Sequence, residues 1–138
     1  MPVRLLFDSG QRYDGRAFRD CLHEAATHGV RIVRPQRGYR WEVDGVRLDI
    51  LAPSRPVLAD TGDDINENSI VAMLHYQNFR ELFMGDAGES SEARLLASGF
   101  DLRADVLKAQ LRPPHVIPSL SRDNADRGVC GDPSTSSV

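Results

Sequence analysis

The sequence predicts a mixed α/β fold for residues 1–108, followed by a tail of different character at residues 109–138. Short apolar segments bounded by Gly, Asp and Pro alternate with two stretches of helical periodicity, and two hairpin patterns fall mid-chain. Periodicity ends at residue 109, and four of the eight prolines lie in the tail together with a Ser/Thr/Gly-rich end. We expect the tail to be disordered, because it has little apolar surface to bury.

The first part of the chain has the pattern of a strand–helix–strand unit. Residues 3–7 are short and apolar, and Asp8-Ser9-Gly10 supplies a turn after them. Apolar side chains recur at helical spacing over residues 17–26, and Gly29 is typical of the end of a helix. Residues 30–33 are predicted to form a strand parallel to the first, because a helix crosses between the two.

Two β-hairpins are predicted in the centre of the chain. Residues 39–43 and 46–50 alternate apolar and polar side chains on either side of Asp44-Gly45, a strong two-residue turn signal. Residues 69–76 and 79–84 are predicted to pair in the same way around Gln77-Asn78. A short helix over residues 89–98 and the start of another strand at residue 105 complete the pattern.

Length and composition limit the classes of protein that fit. The 138 residues suffice for one hydrophobic core. Apolar residues make up 41% and charged residues 27%, which are globular proportions. No apolar run approaches the ~20 residues that cross a bilayer, so we expect a soluble chain without a transmembrane segment. The net charge of -3 argues against a surface that binds nucleic acid throughout, and Cys21 and Cys130 predict no disulfide framework.

Several chemical signatures are missing or weak in the sequence. There is no phosphate-binding loop, no nucleophile elbow and no dinucleotide-binding glycine motif. His23 and His28 lie about 140° apart on the predicted helix and cannot share a metal ion, and His75 is interpreted as a partly exposed sheet histidine. The acidic residues 60–67 offer oxygen ligands for a hard cation but lack calcium-loop spacing, so a polar loop is the alternative.

Asp86 is the strongest single candidate for a functional role. It follows an apolar strand and lies between Gly85 and Gly88, directly before a predicted helix. A carboxylate held at the end of a rigid strand suits metal binding or general-base chemistry. The alternative is that Asp86 only caps the helix that begins near Glu89.

Four segments together resemble the metallo-β-lactamase-like domain at the C-terminal end of the ComEC family of DNA-internalisation competence proteins. They cover residues 1–108 nearly without gaps and occur in the family's order. The segments are Leu6-Phe7-Asp8-Ser9-Gly10, Asp63-Asp64-Ile65-Asn66-Glu67-Asn68-Ser69-Ile70-Val71, Leu82-Phe83-Met84-Gly85-Asp86-Ala87-Gly88-Glu89 and Leu102-Arg103-Ala104-Asp105-Val106-Leu107-Lys108.

This resemblance implies an αββα sandwich that binds divalent metal (zinc or manganese), with two ions expected, in a cleft between its sheets. The implied activity is that of a metal-dependent hydrolase or nuclease acting on DNA during natural transformation. Asp86 matches the aspartate that bridges the metals, and Asn68 and Ser69 match a segment that lines the substrate cleft. The implied partners are DNA and the remainder of a parent channel protein in the cytoplasmic membrane.

The chain departs from the family pattern in two places. The family's His-x-Asp-x-Asp-His motif belongs upstream of residue 3, and its His-His-Gly-Ser motif should closely follow Lys108, where Ala109 begins a divergent sequence. We therefore expect residues 1–108 to be an incomplete domain that is inactive alone and does not retain the metal. An out-of-frame tail would explain the break, because codons such as CCA-CCA-CAC for Pro113-Pro114-His115 give His-His when read one base later.

Two other functions remain open at the level of sequence. A non-catalytic module for single-stranded nucleic acid could use five arginines interleaved with Tyr39 and Trp41 to contact phosphates and stack on bases. A small-molecule metallo-hydrolase of the same superfamily would need metal ligands beyond Asp86. The five arginines are Arg31, Arg34, Arg37, Arg40 and Arg47.

Overall fold

The computed structural model describes residues 2–110, which form two parallel strands with a crossover helix, a five-stranded sheet and two further helices. The mixed α/β class predicted from the sequence is confirmed. The predicted tail lies outside the described residues except for Ala109 and Gln110. The elements are β1 (Leu5–Phe7), α1 (Arg16–Thr27), β2 (Arg31–Val33), β3 (Arg40–Val43), β4 (Val46–Ala52), α2 (Asp64–Glu67), β5 (Val71–Tyr76), β6 (Phe79–Phe83), α3 (Glu89–Leu96) and β7 (Val106–Lys108).

The first unit is the predicted parallel pair. β1 and β2 pair in parallel with Leu6 opposite Ile32, and α1 connects them. The helix ends as expected before Gly29, whose φ of +67° is a backbone conformation that glycine adopts without steric cost. Phe18 and Leu22 on the apolar side of α1 are only half-buried, so this helix face is not fully covered by residues 2–110.

The second unit is a sheet of strand order β3-β4-β5-β6-β7. Both predicted hairpins are confirmed: β3 pairs antiparallel with β4, and β5 with β6. At the first turn Asp44 and Gly45 both have positive φ, as the tightest two-residue hairpin turns require. β7 joins the other edge in parallel with β6, with Leu82 opposite Leu107.

The hydrophobic core lies between one face of this sheet and α3. Leu95 of α3 packs there against Met73 and Leu82 of the central strands. A bulge in β4 between Ile50 and Ala52 brings two neighbouring residues, Leu51 and Ala52, into the same core. The cluster against α3 is therefore small and lies on one side of the sheet, whereas Ile50 and Ala72, which are also buried, lie on the opposite side.

The opposite side of the sheet, here called the open face, is also apolar. Side chains alternate along each strand, and the register aligns those of the open face across the sheet. Tyr76 and Phe79 remain exposed there, whereas Trp41 meets the ring of Phe7 from β1 edge to face at 6.4 Å. The open face consists of Trp41, Val43, Val46, Leu48, Ile50, Ala72, Leu74, Tyr76, Phe79, Phe83 and Val106, together with the charged side chains of Glu81 and Lys108.

Several elements differ from the sequence prediction in their presence or their bounds. The acidic segment contains a helical turn, α2, because Asp63 accepts a hydrogen bond from the backbone N–H of Asn66 and thereby begins it. The strand expected from residue 69 begins at Val71, and the last helix ends at Leu96 instead of residue 98. Within residues 2–110, none of the helices has the length and apolar character that spanning a membrane demands.

Candidate functional site

Asp86 lies on a turn between β6 and α3, as the sequence predicted. The turn follows Met84, whose carbonyl accepts a hydrogen bond from the backbone N–H of Ala87. Asp86 is exposed, and the N-cap position of α3 is occupied by Gly88, which provides no side-chain cap. Asp86 therefore lies two residues before the N-cap position of this helix.

The structure brings the predicted segment around Ser69 against this turn. β5 and β6 are antiparallel, so the residues that precede β5 meet those that follow β6. Gly85 has a φ of +57°, and a Cβ atom at this position would lie 3.2 Å from the Ser69 Cβ and 3.2 Å from the Ile70 carbonyl oxygen. Glycine is thus required at position 85 both by its backbone conformation and by the close approach of Ser69.

Asn68 is buried and its amide group is engaged with the chain itself. Its Oδ1 accepts a hydrogen bond from the Leu58 N–H at 2.9 Å, and its Nδ2 donates to the carbonyl oxygens of Leu58 at 2.8 Å and Asp64 at 2.7 Å. Only 2% of the residue is exposed. In this arrangement Asn68 fastens the 58–64 loop to the start of β5, which is a structural role.

Glu67 has a role that the sequence did not reveal. It is buried, and its two carboxylate oxygens accept hydrogen bonds from the backbone N–H groups of Ser90 at 3.3 Å and Ser91 at 2.7 Å. These N–H groups belong to the first turn of α3, where no carbonyl within the helix can accept them. Glu67 therefore supplies from α2 the cap that Gly88 lacks, and its charge complements the helix dipole.

The other acidic side chains of residues 60–67 also bind local backbone groups. Asp64 accepts from the Thr61 hydroxyl at 2.7 Å, the Thr61 N–H at 2.9 Å and the Asp60 N–H at 3.2 Å. The bonds from Thr61 hold the pKa of the Asp64 carboxyl below its ordinary value. These contacts favour the polar-loop interpretation of the segment over a cation site.

The residues around Asp86 do not form a metal centre by themselves. Across residues 2–110, no group of three or more His, Cys, Asp or Glu side chains could hold a metal ion together. Catalytic sites for divalent metals typically use about three protein ligands or more. Asp86 could contribute one carboxylate to such a site.

A cluster of charged side chains, here called the Asp49 cluster, lies on the α3 side of the sheet, beyond the end of the apolar core. Asp49 lies there among four basic side chains, and its carboxylate accepts a 2.7 Å hydrogen bond from the Arg40 Nε. The Arg47 Nε and the His75 Nε2 each lie 3.1 Å from the second Asp49 oxygen. Arg80, which lies opposite His75 on β6, donates through its terminal nitrogens to Asp101 at 3.0 and 2.7 Å.

These charges shift the pKa values of Asp49 and His75 within the Asp49 cluster. Burial raises the pKa of Asp49, but the hydrogen bond from Arg40 and the charges of Arg47 and His75 outweigh that effect and lower it. Burial lowers the pKa of His75; Arg47 and Arg80 lower it further, whereas Asp49 opposes them. The carboxylate is thus stabilised as the anion and the imidazole as the neutral form.

The arginines proposed for single-stranded nucleic acid do not share one surface. Arg40 and Trp41 are neighbours in β3 and therefore point to opposite faces of the sheet. Arg34 pairs with Asp8 at 3.3 Å, and Arg37 donates to the Leu51 carbonyl and lies over the Phe100 ring. No interleaved platform of arginines and aromatic rings results among these residues.

Comparison of the chain with protein-family models, with curated proteins and with solved structures finds no match.

Proposed function

We propose that residues 1–108 are the central part of a ComEC-like metallo-β-lactamase-like domain that takes part in DNA uptake. The observation that carries the proposal is the contact between Ser69 and Gly85. It joins two segments of the resemblance at one end of the sheet, where the exposed carboxylate of Asp86 follows directly. The activity assigned to the parent protein is that of a metal-dependent nuclease-like hydrolase, and the chain alone is inactive.

The open face supports the finer proposal of an αββα sandwich. Exposed Tyr76 and Phe79 form part of a largely apolar sheet surface that Glu81 interrupts near β7, and large apolar surfaces in proteins mark contacts with other elements. Phe7 already places the β1–β2 pair against one corner of this face at Trp41. Further strands beside that pair would complete a second sheet over the open face.

The proposal includes a divalent metal ion, but the described residues supply only part of its ligand set. Asp86 would supply one ligand, and the remaining ligands would come from segments outside residues 2–110. Zinc or manganese bound there would polarise a phosphodiester and activate water. The described residues alone do not fit a divalent ion.

The proposed partners follow from the same assignment. DNA is the substrate, and the remainder of the parent channel protein, in the cytoplasmic membrane, is the structural partner. Asn68 is assigned to the wall of the cleft through its hold on the 58–64 loop, and Ser69 through its position beside Gly85.

The genomic locus provides the first test. We expect a His-x-Asp-x-Asp-His-type motif upstream of codon 1 and a His-His pair after codon 108 in a shifted frame. If neither motif occurs in any forward frame on either side, the assignment to a metal-dependent domain is wrong.

The second test measures metal binding in the complete protein read from that locus. Asp86→Asn should reduce the amount of bound manganese or zinc and abolish metal-dependent cleavage of DNA, because it replaces a charged ligand with a neutral one. Asp20→Asn, an exposed change on α1 that removes the same charge, is the matched control and should change neither. Equal metal content in both variants would contradict the role of Asp86.

A further inference from the structure

A groove of about 550 Å³, here called the arginine groove, lies where several strands end. Its walls are the segments that follow β1, β2 and β4, together with residues of α2. The Arg37 N–H donates to the Pro53 carbonyl at 2.8 Å, which joins the segment after β2 to the end of β4. β4 is antiparallel to β5 and therefore ends beside the start of β5, where Ser69 contacts Gly85. The arginine groove and the turn that carries Asp86 thus share one end of the sheet.

Three arginines line the groove, and two of them have no partner. The side chains of Arg12 and Arg55 are exposed and form neither an ion pair nor a hydrogen bond within residues 2–110. Among the lining residues only Asp64 is acidic, and its carboxylate already accepts the three hydrogen bonds from the 60–61 segment. The two guanidinium groups are therefore available to a ligand.

Arg34, the third lining arginine, is held in place close to the backbone. Its Nε atom donates to the Asp8 Oδ2 atom at 3.3 Å, and the Asp8 side chain is only 9% exposed. Gly10 has a φ of +78°, and a Cβ atom there would lie 3.2 Å from the Arg34 Cδ atom, so glycine permits this close approach. The terminal nitrogens of Arg34 make no hydrogen bond in the described part of the chain. A guanidinium group oriented in this way matches the paired oxygens of phosphate.

The surroundings of the groove add to its positive charge. Arg37 and Arg94 lie beside the end of β4 and donate to backbone carbonyl oxygens at 2.9 and 3.0 Å instead of to carboxylates. Together with the three lining arginines they carry five positive charges, whereas Asp8, Asp64 and Glu67 carry three negative ones. The excess of positive charge means that this end of the sheet attracts anions.

The groove also offers apolar surface. Val57 and Ile65 line it, and they are 43% and 44% exposed. A simple inorganic anion gains nothing from such side chains. A nucleotide chain can bury its sugars and bases against them while its phosphates meet the arginines. The combination of unpaired guanidinium groups and apolar walls therefore favours a nucleic-acid strand.

We propose that the arginine groove binds the phosphodiester backbone of a single DNA strand and leads that strand to the turn that carries Asp86. The proposal rests on the proposed function, which supplies DNA as the substrate. Arg12, Arg34 and Arg55 contact the phosphates, and Asp8 is a positioning residue for Arg34. Contacts to phosphate position a strand without reading its bases, so we expect binding without sequence preference.

The experiment measures fluorescence anisotropy of a short labelled DNA strand of mixed sequence as the full chain is added. EDTA is present, so that binding does not depend on a metal ion. Three phosphate contacts predict saturable binding whose logarithm of affinity falls against the logarithm of salt concentration with a slope of about −2. Absence of saturable binding at low salt would overturn the proposal. Equally tight binding of polyglutamate would also overturn it, because the groove would then suit an acidic polypeptide.

Variants then locate the site. Arg12→Gln and Arg55→Gln should each weaken binding about fivefold at roughly 0.1 M salt and make the slope shallower by about 0.7, because each removes one phosphate contact. Both side chains are exposed and unpaired, so neither change should disturb the fold. Arg4→Gln removes the same charge before the start of β1, at the opposite end of that strand, and should change neither quantity. If all three variants weaken binding equally, the overall charge of the chain attracts DNA and the arginine groove is not the site.

Metal content separates this proposal from the role of Asp86. In the complete protein, Arg12→Gln should weaken DNA binding and leave the amount of bound metal unchanged, whereas Asp86→Asn should lower the amount of bound metal. If Arg12→Gln and Arg55→Gln bind DNA as the native protein does while Asp86→Asn loses metal, the arginine groove is wrong and the proposed function stands. If both arginine variants weaken DNA binding and Asp86→Asn retains its metal, the groove is supported and the role of Asp86 is contradicted.

Discussion

The cap that Glu67 provides for α3 makes the sharpest prediction about stability. Glu67→Gln retains the shape of the side chain but removes its charge and turns one acceptor into an NH₂ group that faces a backbone N–H. The contacts at stake are those to Ser90 at 3.3 Å and Ser91 at 2.7 Å. Losing a charge-assisted hydrogen bond to a buried donor costs about 1.5–3 kcal/mol.

A loss of that size is measurable, because the whole stability of a small domain is about 5–15 kcal/mol. For a domain of 60–100 residues it corresponds to a fall in Tm of about 4–8 °C per kcal/mol. Urea unfolding followed by circular dichroism, or by fluorescence of Trp41, gives the free energy of unfolding. Amide hydrogen exchange at Ser90 and Ser91 should quicken at the same time, because their acceptor is lost.

Glu89→Gln is the matched control for this prediction. Glu89 lies in the first turn of the same helix but is exposed, so its loss should cost only the dipole interaction, about 0.3–1 kcal/mol. If the two variants lower the free energy of unfolding equally, or if exchange at Ser91 is unchanged in Glu67→Gln, Glu67 does not cap α3 and the reasoning is refuted.

Three further changes test the site by urea unfolding or NMR. Gly85→Ala should cost more than Gly99→Ala, because both have positive φ but only a Cβ at position 85 meets neighbouring atoms; equal costs would contradict the close approach of Ser69. Asn68→Asp should lower the free energy of unfolding by about 2–3 kcal/mol, since two carbonyls lose their donor, whereas Asn78→Asp on an exposed turn should lower it little. Burial lowers the pKa of His75, so as the pH falls the imidazole is protonated in the unfolded chain before it is protonated in the folded chain. The free energy of unfolding should therefore decline as pH falls through about 6.5. His75→Gln should make this decline less steep. A His75 titration midpoint above 6.5 would contradict this sign.

The hairpins could be predicted because their information is local. Two residues at Asp44-Gly45 determine both the turn and the pairing that follows from it. Counting outward from that turn places Arg40 opposite Asp49, which the structure confirms. The ion pair between Arg40 and Asp49 could therefore have been predicted from the sequence, although the pattern of alternation points only to the apolar side chains.

Neither the cap by Glu67 nor the contact of Asp49 with His75 could be predicted from the sequence. Each joins residues more than 20 positions apart on elements that are not consecutive hairpin strands. Periodicity describes which face a residue occupies but not which distant backbone group lies above it. The buried state of Glu67 was also unexpected, because an acidic residue in a run of acidic residues is ordinarily solvated.

Three consecutive residues from the end of α2 toward β5 have separate structural roles, and this affects how the proposed function can be tested. Glu67 holds α3, Asn68 holds the 58–64 loop, and Ser69 packs against Gly85. Together they fix the position of the turn that carries Asp86. Loss of activity after substitution of Glu67 or Asn68 would consequently reflect a displaced Asp86 turn as much as the loss of a group that takes part in the chemistry. Asp86 is exposed, so its substitution probes the chemistry most directly, provided that the unfolding free energy of Asp86→Asn equals that of the native chain.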